Sequence, residues 1–164
     1  MRWFIVQSSL EDAVSVAALA QSPSGKRFSH QRRLPGSVLA RARLELQRSI
    51  ENIRPAATFD DLHAEVQNIV GGIPGIGELY VYDTAVRIGV KRQLSPKHVY
   101  IHAGVREGAR MCGLDPTRTK IPMSDLPNAL RTLEPNEVED ILCIYKHQIA
   151  GAAMAERANS RCFA

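Results

Sequence analysis

Several things are missing from this 164-residue sequence, and each absence closes off a class of protein. The three cysteines, Cys112, Cys143 and Cys162, are odd in number and far apart, with no paired metal spacing. They read as reduced thiols acting as small apolar residues, which excludes a disulfide framework. His30, His63, His98 and His147 are scattered along the chain, and no metal or other cofactor is expected. No stretch approaches the ~20 apolar residues a membrane span needs, so no membrane partner is expected. Glu11 and Asp12 interrupt the apolar run near the N-terminus, which argues against a signal peptide and for a cytoplasmic protein. There is no Walker-type loop, no GxSxG and no internal repeat. Strand signals are nearly absent, so a mostly α fold is expected.

What is present is a moderately basic chain of ordinary apolar content, with net charge +4 and a pI near 9.2. Its length suits one good core. The spacing predicts an N-terminal helix and basic arm over 1–36, and a helical domain over 37–164, together one compact unit. Ser9 and Asp12 look like a cap opening a helix over Leu10–Ala20. Trp3 to Val6 reads as a strand or a helix lead-in. Ser22 to Gly25 is a break. Lys26-Arg27-Phe28-Ser29-His30-Gln31-Arg32-Arg33 follows, the densest positive segment, with no acid in it. It reads either as a solvated loop or as an arm contacting phosphates through Lys26, Arg27, His30, Arg32 and Arg33.

Apolar residues at helical spacing predict a helix over Val38–Ile53, with Arg41, Arg43 and Arg48 towards solvent. Pro55 ends it. Thr58 and Asp61 predict a capping box for a helix over Phe59–Val70. A second helix is expected from Gly77 to about Gln93, with Asp83 and Arg87 pairing on its surface. Ser95-Pro96 reads as a stop followed by a new helix start. His98 to His102 is a lead-in of extended character. The small residues Ala103, Gly104, Gly108 and Ala109 predict a helix packed closely on a neighbour. Residues 115–128 read as a loop with at most one helical turn, and a long helix is expected from Glu137 to about Ala158, with a frayed end at Arg161–Ala164.

Between the two central helices lies Ile73-Pro74-Gly75-Ile76-Gly77. Glycines at a helix start leave amides outward and let a foreign backbone approach, which makes an anion site. With an amphipathic helix on each side, this stretch resembles the helix-hairpin-helix motif of DNA-repair and recombination proteins. In that family a hydrophobic-Pro-Gly-hydrophobic-Gly turn grips a backbone phosphate through its amides. The resemblance implies that Gly75, Ile76 and Gly77 hold a DNA phosphate, independently of sequence. Val81 stands where the family usually has alanine, and Glu78 stands at the helix start.

More distantly, the chain is similar to the helix-hairpin-helix DNA glycosylases. The aspartate of that superfamily falls at His102 here, and the lysine of its bifunctional members falls at Leu79. Both losses argue against glycosylase chemistry. His102 reads as a core or capping histidine, or as a weak site residue with Arg106 one turn on. Asp83 and Glu107 read as solubilising acids. Three functions stay open: a non-catalytic DNA-binding protein, a base-excision or related enzyme with an atypical site around His102, and a protein-interaction or defence accessory module.

Overall fold

The computed structural model describes residues 1–149, and the chain divides into two units, Met1–Ser95 and Pro96–Ala164. The fold is mostly helical, as expected, with one small sheet among the described residues. Residues 1–36 share the first unit with the helices that follow them.

The first unit is built around a helix that is buried on most sides. Its elements are α1 (Arg2–Ile5), α2 (Leu10–Ala18), α3 (Gly36–Arg48), α4 (Ile50–Ile53), α5 (Phe59–Val70) and α6 (Glu78–Arg92). Trp3 to Val6 thus resolves as a helical turn with Phe4 buried. Ser9 accepts the Asp12 amide at 3.0 Å and so starts α2. The expected helix over 38–53 is two pieces, because Ser49 leaves helical geometry between α3 and α4. Thr58 and Asp61 form the complete capping box at the start of α5. Each side chain bonds the other residue's backbone N–H, at 3.1 Å and 3.0 Å. The Thr58 hydroxyl, which donates to the Asp61 carboxylate at 2.8 Å, and then the Thr58 amide hold that carboxyl below its usual range.

α1, α2 and α5 all pack on α6. Tyr80, Val81, Tyr82, Thr84, Ala85, Ile88 and Gly89 are buried along it. The Tyr80 hydroxyl donates to the Ala18 carbonyl at 2.7 Å, and burial pushes its pKa up to about 12. Arg92 ties α6 to the α4–α5 corner by donating to the Ile53 and Ala56 carbonyls, both at 2.9 Å. Gln93, at φ +57°, ends the helix.

Ser95-Pro96 leads into a strand, where a helix start was expected. β1 (His98–Tyr100) pairs antiparallel with β2 (Lys120–Pro122), with Val99 opposite Ile121. β2 lies inside the stretch expected to be a loop. Three alternating residues flanked by prolines and turns are too short to stand out as a period-two pattern. α7 (Ala103–Met111) and α8 (Pro135–Ile144) complete the unit and pack on each other, with β1 against α8. Their shared core includes Val99, Val105, Ala109, Ile121, Val138 and Leu142. Gly108 permits the crossing, because a Cβ there would lie 2.0 Å from the Leu142 carbonyl oxygen. The expected helix over 137–158 starts two residues earlier, at Pro135, and is interrupted at Tyr145. Its part from Ala150 on, and the fray at 161–164, lie outside the described residues.

Candidate functional site

α5 ends at Gly71, and the turn to α6 runs through Ile73-Pro74-Gly75-Ile76-Gly77. Ile73 is buried and anchors the turn. Its carbonyl accepts the Ile76 amide at 3.0 Å, so that amide is turned into the turn and is not available to a ligand. The amides of Gly75 and Gly77 make no backbone hydrogen bond among the described residues.

The two glycines differ. Gly75 stands at φ +94°, a conformation the turn itself demands of glycine. Gly77 has φ −116°, ordinary for any residue, and nothing lies within 4 Å of where its Cβ would be. It is the N-cap of α6, yet no side chain caps that helix. The fold therefore gives no reason for glycine at 77, where a serine or aspartate would serve the helix better.

The start of α3 adjoins this turn. A Cβ on Gly75 would lie 3.7 Å from a Val38 methyl. α3 too begins without a side-chain cap, after Pro35. A recess of about 190 Å³ opens at this point, lined by Leu19, Gln21, Gly25, Arg27, Gly36 and Leu39. The turn before α6 thus touches the first turn of α3, and each of these two helices starts uncapped with the positive end of its dipole.

The basic segment feeds directly into α3. Lys26, Arg32 and Arg33 are exposed. Arg27 is half-buried and donates to the Leu34 carbonyl at 2.6 Å, so it braces the segment, with its guanidinium beside Gly36. His30 is exposed at the Asp83 carboxylate, with Nδ1 3.8 Å from Oδ2. How this segment is held is not visible from residue spacing. Gln31 is buried and donates to Asp83. Arg87 donates to Gln31 at 2.9 Å and to Asp83 at 3.1 Å, with its guanidinium 4.7 Å from the centre of the Phe28 ring. The Asp83–Arg87 pair is thus an anchor buried under the basic segment, not a surface pair, and Asp83 is not a solubilising acid. Burial pulls the Arg87 pKa down, and Asp83 opposes that shift.

Arg41, expected towards solvent, is exposed one helical turn beyond Val38. It extends the positive surface from the basic segment along α3.

His102 and Arg106 belong to the second unit. His102 is 1% exposed and is the N-cap residue of α7, although its side chain does not cap the helix. Its Nε2 meets Glu139 Oε1 at 2.5 Å. Glu139, itself buried, is a carboxylate partner that sequence spacing could not reveal, 37 residues away on α8. Arg106 donates to the Pro116 carbonyl at 2.7 Å and so fastens a loop. His98 and His102 are four apart, but β1 is extended there, so no helix face brings them together. No group of three potential ligands that could hold a metal occurs among the described residues. Among the described residues, no helix is long and apolar enough to cross a membrane.

Neither a protein-family model, nor a characterised protein, nor a solved structure matches the chain.

Proposed function

We propose that the first unit binds the phosphate backbone of duplex DNA, without sequence preference, at the paired starts of α3 and α6. The observation that carries this reading is Gly77: an uncapped helix start, at an ordinary φ, with open space where a side chain would be. Such a position suits a partner's oxygen close against the backbone, and phosphate is the common anion for a helix N-terminus. The Gly75 and Gly77 amides supply the donors. Arg32, Arg33 and Arg41 supply positive charge on the exposed side. Lys26 and His30 stand at the edge of this surface, and Arg27 holds the segment in shape.

Phosphate contacts carry no sequence information, so on this reading affinity comes from phosphates and counterion release. The test is fluorescence anisotropy with a labelled duplex across a salt series. Log affinity falls linearly with log salt, with a slope of roughly −0.9 per phosphate contact. Arg32→Ala together with Arg33→Ala flattens that slope. An affinity that is flat with salt, or unchanged in the double variant, refutes the reading.

A further inference from the structure

The second unit holds a thiol, an imidazole and a carboxylate that phosphate binding leaves unused. Glu139 and Cys143 are four apart on α8 and so share a face. His102 opens α7 and meets Glu139 through Nε2. Gly104, in the first turn of α7, marks where the thiol and the imidazole come together. A Cβ at Gly104 would lie 2.6 Å from Cys143 Sγ, 3.4 Å from His102 Cε1 and 3.6 Å from His102 Nδ1. The imidazole thus turns one edge to Glu139 and its Cε1–Nδ1 edge towards the space beside the sulfur. Any side chain at 104 would have to displace the thiol.

Two positive features lie near the sulfur. Sγ sits against the first turn of α7, a nine-residue helix whose N-terminus has no side-chain cap. The Lys146 ammonium, paired with Glu107 at 2.6 Å, interacts electrostatically with Cys143. Opposing these is the C-terminal end of α8, whose dipole disfavours negative charge. Helix N-termini and adjacent cations are the settings that make cysteines reactive. Cys143 is half-buried, open to a small reagent.

We propose that Cys143 is an activated thiol, a site of modification by small hydroperoxides, with His102 and Glu139 as its positioning residues. In the step, the thiolate sulfur attacks one peroxide oxygen and the O–O bond breaks. The leaving hydroxide takes a proton from solvent and departs as water. Sulfur is oxidised by two electrons to the sulfenic acid, and the peroxide is reduced.

The chain carries its own comparison. Cys112, just past α7, is also half-buried, and burial pushes its thiol up. The reduced full-length protein is treated with hydrogen peroxide, sulfenic acid is trapped with a 1,3-dione, and peptide mapping assigns each cysteine. Iodoacetamide rates are followed from pH 5 to 9. At pH 7, Cys143 reacts at least about tenfold faster than Cys112, and than Cys143 in the urea-unfolded chain, with a midpoint below the ordinary ~8.5. Glu139→Gln and His102→Gln, folded by circular dichroism, slow it and move the midpoint towards the ordinary value. The proposal fails if Cys143 in the wild-type protein reacts no faster than Cys112. It also fails if either folded variant keeps the wild-type rate and midpoint. Should both variants unfold, the comparison within the wild-type chain decides alone.

Discussion

Replacing Gly77 by aspartate should drive fold and binding in opposite directions. The position has ordinary φ and empty space, so the side chain enters without strain. Its carboxylate can accept the Leu79 amide of the first turn of α6, which an N-cap residue normally does. Aspartate improves on glycine there by a few tenths of a kcal/mol, and the helix dipole adds about as much again. A gain of about 0.5 kcal/mol raises Tm by roughly 2–4 °C in a unit of this size. The same carboxylate occupies the proposed phosphate site. A lost hydrogen bond to a charged group costs about 1.5–3 kcal/mol, and like charges about 4 Å apart in water add about 1 kcal/mol. DNA affinity should fall by about 60- to 700-fold, at about 1.4 kcal/mol per tenfold. Calorimetry and anisotropy on the same preparation read both effects. A variant that is more stable yet binds DNA as tightly as the wild type refutes the phosphate site. A variant that unfolds refutes the claim that the fold tolerates a side chain at 77.

Other perturbations follow from particular contacts. Arg87→Ala leaves Asp83 and Gln31 without their buried partner and should cost the first unit roughly 3 kcal/mol in urea unfolding. Gly108→Ala forces a methyl into the Leu142 carbonyl and should destabilise the second unit by roughly 1–3 kcal/mol or more, seen as an earlier melting step. The Asp61 carboxyl is lowered by Thr58, so its contribution is present above its unfolded pKa near 3.8 and is lost as pH falls through the lower folded value. Acid titration of the first unit should therefore show declining stability below about pH 4, with a shallower decline in Asp61→Asn.

The helices were legible wherever the signal is local. α5 is bounded by a capping box and by Gly71, and its expected span, Phe59–Val70, is the observed one. The mostly helical class followed from the same periodicity. The anchor under the basic segment was not legible, because Gln31 meets Arg87 across 56 residues and looks polar and solvated in sequence. Asp83 and Arg87 at helical spacing look the same whether the face is wet or covered, and α6 happens to be covered on almost all sides. Glu139 was invisible for a related reason. A single acid beside the apolar Val138 and Leu142 reads as the edge of an amphipathic face until His102 is placed against it. Of the turn, sequence indicated the glycines but not the fate of each amide, and Ile76 is spent on Ile73.

Capping separates the helices of eight residues or more into two kinds. α2, α5 and α8 start with a side chain on the backbone: Ser9, the Thr58–Asp61 box and the Glu134–Glu137 box. α3, α6 and α7 start at Pro35, Gly77 and His102 with no such bond. The chain has the means to cap a helix and leaves these three bare. Two of them adjoin at Val38 and Gly75, and the third faces the Cys143 sulfur. If the bare pair serves an external anion, inorganic phosphate should stabilise the first unit by linkage. A site with Kd of about 10 mM gains about 1.4 kcal/mol at 100 mM phosphate. Phosphate also strengthens burial in every protein, so the informative quantity is the difference between wild type and Gly77→Asp in matched buffers. A Tm rise larger in the wild type by several degrees supports an anion held at the turn. Equal rises in both mean that only the general salt effect operates, and the bare helix starts are then slack in the fold.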